Sequence, residues 1–155
     1  MKKLFGISML FFACLAPAAC LAEDENHLAL DLWGMSHHGN RDKGYNEKNW
    51  GLGVRAYHGN WFAAVDDMRN SLRGNTLSVG VGYKQPLFTL GGYTLSVEAE
   101  LSHLDYHVPK RGVARGFIVL PGAEVRKGPW GASFAYVPPN SNRKSVVMVF
   151  GSYYF

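Results

Sequence analysis

Apolar and polar residues alternate along most of this chain with a period of two, the pattern of strands that bury or expose one face only. Between Thr76 and Gln85, Leu77, Val79, Val81 and Tyr83 share one face, and Ser78, Gly80, Gly82 and Lys84 share the other. Tyr93–Ser102 repeats the pattern, with Tyr93, Leu95, Val97, Ala99 and Leu101 opposing Thr94, Ser96, Glu98, Glu100 and Ser102. Trp50, Leu52, Val54 and Ala56 likewise oppose Gly51, Gly53, Arg55 and Tyr57. A face of glycine, serine and charge suits a narrow polar interior, and an apolar face opposite it suits lipid. Breakers at His58-Gly-Asn60, Leu90-Gly-Gly92, Lys127-Gly-Pro129 and Pro138-Pro-Asn140 divide the chain. They predict eight strands, near 28–37, 49–58, 61–69, 76–86, 93–104, 112–121, 130–137 and 145–155. Short and long connections alternate between them. The fold class expected is all-β: an eight-stranded antiparallel up-and-down transmembrane β-barrel.

The two ends of the sequence sharpen this expectation. Ser145–Phe155 is a β-prone apolar run ending on an aromatic, about the 9–11 residues that a tilted strand needs to cross a bilayer. In water it would be a sticky edge, and closure of a barrel removes edges. Met1-Lys-Lys, the apolar run Leu4–Ala16 and small residues to Ala22 read as a signal peptide. The expected organisation is therefore a signal over 1–22 and an outer-membrane β-barrel over 23–155. Cys14 and Cys20 would leave with the signal, so no disulfide is expected. The net charge of +4 includes Lys2 and Lys3 and is too small to suggest nucleic acid. The expected location is the Gram-negative outer membrane, with both termini periplasmic, membrane lipids as partners and a monomeric state. Outward loops fall near 38–48, 70–75, 105–111 and 138–144.

That topology brings His37, His38, Asn70 and Ser71 to one rim from distant parts of the sequence. A hydroxyl and an imidazole together perform acyl transfer, the histidine taking the serine proton as the acyl group moves. No metal or other cofactor is needed for this. A serine within Arg69–Asn75 is equally an ordinary turn residue. Strand parity also conflicts here: with Leu28, Leu30 and Leu32 towards lipid, His37 and not His38 points inward.

The residues at this rim resemble those of the PagP family of lipid A palmitoyltransferases. The resemblance runs through His38, the element Tyr45-Asn46-Glu47-Lys48-Asn49-Trp50-Gly51-Leu52-Gly53, and Asn70-Ser71 followed by Gly80 and Gly82. It continues through Leu120-Pro121 to Gly128-Pro129 and from Tyr136-Val137-Pro138 to Phe155. The resemblance implies transfer of a palmitoyl chain from a glycerophospholipid to lipid A. It assigns His38 and Ser71 as catalytic, with Asn70 at the position of the family's catalytic aspartate. It makes Gly80 and Gly82 part of an acyl-chain pocket in which Gly82 limits chain length. Pro121 and Pro138 would interrupt the ladder between strands six and seven, because proline has no N–H to donate, and so open lateral lipid access. Two departures stand out: Asn70 lacks the family's carboxylate, and Asn49 replaces a proline of its other lateral opening. Asp66, Asp67 and Glu47 are the acids near enough in sequence to substitute. A non-catalytic lipid-binding or surface-stabilising barrel, and a lipid A deacylase or phospholipase, are the alternatives.

Other positions have plainer readings. Arg55, Lys84, Glu98 and Glu100 on inward faces form an expected paired interior network. Trp33, Trp50, Trp61, Trp130, Tyr153 and Phe155 would suit interfacial girdles. Tyr45-Asn46-Glu47 either organises its loop or meets substrate. His103, Asp105 and His107 make a weak metal pattern on an outward loop, and Arg41, Lys43, Lys110, Arg111, Arg143 and Lys144 decorate the loops.

Overall fold

A computed structural model describes residues 26–39, 44–139 and 145–155. The expected signal peptide with its two cysteines lies outside the described residues, as do Arg41, Lys43, Arg143 and Lys144. Eight strands follow in order: β1 (Asn26–His38), β2 (Lys48–His58), β3 (Trp61–Arg69), β4 (Asn75–Leu90), β5 (Tyr93–Val108), β6 (Gly112–Lys127), β7 (Trp130–Val137) and β8 (Val146–Tyr154). Each pairs antiparallel with the next, and β8 returns to β1 to close the barrel.

The expected strands are all present, but β4, β5 and β6 are longer than the turn signals suggested, at 16 residues each. Residues 105–108, expected in a loop, continue β5 and pair with Gly112–Arg115. The chain turns only at Pro109-Lys110-Arg111, where Lys110 and Gly112 take positive φ. Alternation simply continues through Leu104 and Tyr106 until proline ends it. At the other end, Gly91 and Gly92, with φ of 59° and 79°, make the two-residue turn between β4 and β5 that only left-handed residues close without splaying the strands.

The outward face is apolar: Leu52, Val54, Val65, Leu77, Val79, Val81 and Leu101 are all exposed. Trp61, Tyr83, Trp130, Tyr153 and Phe155 pair edge-on at the end that carries the termini, and Trp50 is exposed at the opposite, distal end. An apolar belt bounded by aromatics is the surface that lipid covers in barrels of this size. Trp33 corrects the girdle expectation. It is buried in the lumen, stacked on Phe150 and donating Nε1–H to Asp66 Oδ1 at 2.7 Å.

The lumen is plugged by paired charge, as its alternating face implied. The Arg55 guanidinium meets Asp31 at 2.6 Å, Glu98 at 3.2 Å and Glu100 at 3.3 Å. Its plane lies over the Phe62 and Phe150 rings. Lys84 meets Glu124 at 3.4 Å and the Tyr154 hydroxyl at 3.1 Å. Ser152 donates to Asp31, Ser102 to Glu100, and both Tyr154 and Ser133 to Glu124. Glycines across the lumen give these chains their room: a side chain at Gly53 would collide with Asp66, and one at Gly80 with Glu100 and Ser102.

Two irregularities shape the distal end. A bulge between Trp33 and Met35 shifts the register of β1 against both neighbours. It reverses parity, so that Asp31 and Trp33 face inward below it while Ser36 and His38 face inward above it. The parity conflict over the two histidines is resolved: His38 is buried and His37 points outward. The second irregularity is a gap. The β6–β7 ladder runs only from Lys127–Trp130 to Gly122–Ala135. The next residue on β6 is Pro121, opposite Tyr136, and from there to Gly112 β6 has no partner on β7.

Candidate functional site

The distal half of the lumen is a cavity of about 870 Å³, within the roughly 300–1,000 Å³ common for small-molecule sites. Its mouth is lined by His38, Tyr45, Asn70, Ser71 and Tyr106. One wall is apolar, built from Leu104, Ile118, Leu120, Val137, Val146 and Met148. Trp33, Asp66, Ser78 and Glu100 form the floor. The cavity also reaches Gly116 and Phe117 on β6 and Pro139 beyond β7. Among the described residues, these flank the β6–β7 gap. Phe117 is 76% exposed there.

His38 and Ser71, 33 positions apart in sequence, therefore share one cavity. The His38 ring stacks on Tyr45 at 4.7 Å, and its Nδ1 is buried without a hydrogen-bond partner. Its backbone N–H donates to Glu47 Oε1 at 3.3 Å, and Glu47 also sits 3.6 Å from His37 Nδ1. His37 ends the apolar outer face of β1, which puts His38 at the rim and not within the belt. Burial lowers the His38 pKa from its ordinary 6.5, the Glu47 charge opposes this, and His37 adds to the lowering. The imidazole is thus neutral and able to accept a proton at neutral pH. Of the acids considered as substitutes for the family's carboxylate, Asp66 is committed to Trp33 at the floor and Asp67 is exposed on the outer face. Glu47 alone adjoins His38.

Asn70 does different work from the catalytic part expected of it. Its Oδ1 accepts the N–H groups of Leu72 and Gly74, at 3.0 and 2.9 Å. Its Nδ2 donates to the carbonyls of Asn75 and His107, at 2.9 and 2.8 Å, and more weakly to Thr76 Oγ1. An Asx-type residue with both ends so engaged organises the β3–β4 turn and ties it to β5. Asn46 completes the scaffold. Its side chain donates to the carbonyls of Lys48 and Asn70, and its backbone N–H to the Ser71 carbonyl at 2.8 Å. The organising reading of Tyr45-Asn46-Glu47 is what the geometry displays.

Gly80 and Gly82 face the lumen, as alternation predicted, but lie beneath the cavity floor and do not line it. A Cβ at Gly82 would overlap the Phe62 ring and stand 2.7 Å from the Ala99 carbonyl oxygen. The space an acyl tail was expected to reach is already filled by Phe62. Gly82→Met is consequently expected to destabilise the barrel by about 1–3 kcal/mol, as overpacking does, and not to change acyl-chain preference. Urea unfolding in detergent, with product chain lengths measured in parallel, checks this. Pro121 begins the β6–β7 gap, and Pro138 follows the last residue of β7 at its exposed margin. His103, Asp105 and His107 lie on the β5 extension. Asp105 accepts from Arg115 at 3.1 Å, and no cluster of three metal-ligating side chains occurs among the described residues.

Tyr106 is the site residue that the sequence reading missed. Its hydroxyl accepts the Ser71 N–H at 3.1 Å. Placing 105–111 in a loop suspended the parity rule just where it applied: Ser102, Leu104 and Tyr106 continue one inward face.

No protein-family model and no curated protein matches the sequence. Among solved structures, the N-terminal β-barrel domain of Pseudomonas aeruginosa OprF matches with a TM-score of 0.52 at 14% identity, over 86% of this chain and 100% of that one. The Yersinia pestis outer membrane protein Ail matches with a TM-score of 0.43 at 14% identity, over 84% of this chain and 100% of that one. The likeness to the OprF domain is one of fold: both are β-barrels of the outer-membrane type.

Proposed function

We propose that this chain is an outer-membrane acyltransferase of PagP type, moving a palmitoyl chain from a glycerophospholipid to lipid A at the outer leaflet, with the distal rim outward. The observation that carries this reading is one cavity lined by Ser71 and by His38, whose buried Nδ1 makes no hydrogen bond, beside the gap in the β6–β7 ladder. In the first step Ser71 Oγ attacks the donor's ester carbon while His38 takes the hydroxyl proton. The carbon–oxygen bond to glycerol breaks, and the departing oxygen takes that proton from His38. A lysophospholipid leaves and the acyl group remains on Ser71. A lipid A hydroxyl then attacks the acyl carbon and gives its proton to His38. Ser71 departs and recovers the proton. The apolar wall of Leu104, Ile118, Leu120, Val137, Val146 and Met148 suits a hydrocarbon tail. The β6–β7 gap lets that tail remain continuous with the bilayer while the ester reaches the rim. Unpaired backbone at this depth is tolerable because it lines a cavity.

The test is mass spectrometry of lipid A from cells with and without the gene, in a strain able to accept an additional chain. Gain of one acyl chain is expected. Unchanged lipid A overturns the reading, and loss of a chain would make the protein a deacylase. A second reading, lipid binding without turnover, draws on the commitment of Asn70 to its turn; it expects unchanged lipid A together with a phenotype on deletion.

The state of His38 sets the pH dependence. Transfer needs the neutral ring, so activity is present above the His38 pKa and lost as pH falls through it. Because burial depresses that pKa, the acid limb of the rate profile is expected below 6.5. Glu47→Gln removes the charge that opposes the depression and moves the limb to still lower pH. A pH–rate profile of both proteins checks the direction.

A further inference from the structure

We propose that the distal cavity binds an amphipathic amine, its ammonium group on Asp66 at the floor and its hydrocarbon chain along the apolar wall. Such a site serves equally well in a barrel that transfers no acyl chain, so it stands apart from the acyl-transfer reading. Among the described residues, the buried acids Asp31, Asp66, Glu98, Glu100 and Glu124 outnumber the buried bases, Arg55 and Lys84. Arg55 is engaged by Asp31, Glu98 and Glu100, and Lys84 by Glu124. Asp66, 2% exposed, has no basic side chain within ion-pair distance among the described residues. Its carboxyl accepts one hydrogen bond, from Trp33 Nε1–H to Oδ1 at 2.7 Å. A carboxylate has sites for several more donors, and a buried charge needs a partner.

The surroundings of Asp66 select the kind of cation. Ser78 stands directly across the β3–β4 ladder from Asp66, and both line the cavity floor. Side chains so placed have Cβ atoms about 4.5–5.5 Å apart, so one ammonium group reaches a carboxylate and a hydroxyl together. A bare metal ion is poorly served, since no cluster of three metal-ligating side chains occurs among the described residues. An alkylammonium brings its own N–H donors. Its chain also has a surface to cover, because Ile118, Leu120, Val137 and Met148 present an apolar wall in the same cavity of about 870 Å³. A plain hydrocarbon leaves Asp66 unpaired, and a small cation leaves the wall uncovered. An amine on a hydrocarbon chain satisfies both.

The experiment titrates dodecylamine, cationic at about pH 7, and dodecanol, which has the same chain without the charge. Each is added to the full mature protein in phosphatidylcholine nanodiscs. The readout is the NMR resonance of the Trp33 indole N–H, which is bonded to Asp66. We expect the amine to bind about tenfold or more tightly than the alcohol, the scale of one hydrogen bond to a charged group. Asp66→Asn keeps an acceptor for Trp33 and removes the charge. It should bring the amine to the affinity of the alcohol and leave the alcohol where it was. Equal affinities in the parent overturn the proposal, and that comparison needs no substitution. An amine preference that survives Asp66→Asn also overturns it, by placing the ammonium elsewhere. An indole resonance that neither compound moves does the same. None of these results bears on acyl transfer, which the lipid A spectrum tests.

Discussion

Replacing Ser71 with alanine is expected to reduce acyl transfer by roughly 10⁴-fold or more, the scale of removing a nucleophile from a site that acts as a unit. The barrel should not notice the change. Ser71 sits in the β3–β4 turn, and the bonds that hold it there are made by its backbone: its carbonyl accepts from Asn46 and its N–H donates to Tyr106. Alanine keeps both, so stability should remain within about 0.5 kcal/mol of the parent. Lipid A mass spectrometry on cells carrying the variant, beside the heat-dependent gel migration of the folded barrel, reads the two effects separately. An active Ser71→Ala variant would remove the serine from the chemistry and return it to the role of a turn residue.

The largest effect on folding should come from Arg55→Leu. One guanidinium stands among Asp31, Glu98 and Glu100, with all four side chains nearly inaccessible to water. Without it, three carboxylates face one another across a lumen too narrow to hydrate them. Breaking a buried pair costs about 3–5 kcal/mol. With three partners left behind, we expect at least the upper part of that range or failure to insert. The loss should belong to the stranded acids and not to the arginine as such. Changing Asp31 to Asn and both Glu98 and Glu100 to Gln in the same chain is therefore expected to restore most of the stability. Urea midpoints in detergent micelles for parent, single and quadruple variants give the comparison. A single variant as stable as its parent would mean that the plug is not held by charge.

Much of this architecture could be read directly from residue order. Strands betray themselves by period two, and the segments from Trp50, Thr76 and Tyr93 alternate cleanly enough to separate a lipid face from a lumenal one. Arg55, Lys84, Glu98 and Glu100 were legible as an interior network because burying any of them alone would be prohibitive. The errors had local causes. Trp33 looks interfacial by composition, yet its parity within β1 had already placed it inward. His38 looks outward by parity because a bulge near Gly34, a residue with nothing in its neighbours to announce it, reverses the faces. Tyr106 was hidden by a turn assigned four residues too early.

Residue order alone determined the class of fold, the number of strands, the sign of each face and the shared rim of His38 and Ser71, because these follow from alternation and from the turn residues that interrupt it. Tertiary structure decided how the rim is used. Whether a lumenal glycine leaves space depends on what crosses to fill it, and at Gly82 that is Phe62 from the neighbouring strand. Whether Asn70 meets His38 or a turn depends on carbonyls contributed by Asn75 and His107, which reach it only when β3, β4 and β5 curve together. Tertiary structure likewise decided where the β6–β7 ladder stops, at Gly122–Ala135 just short of Pro121. Contacts across a closed barrel join residues tens of positions apart, and no local pattern encodes them.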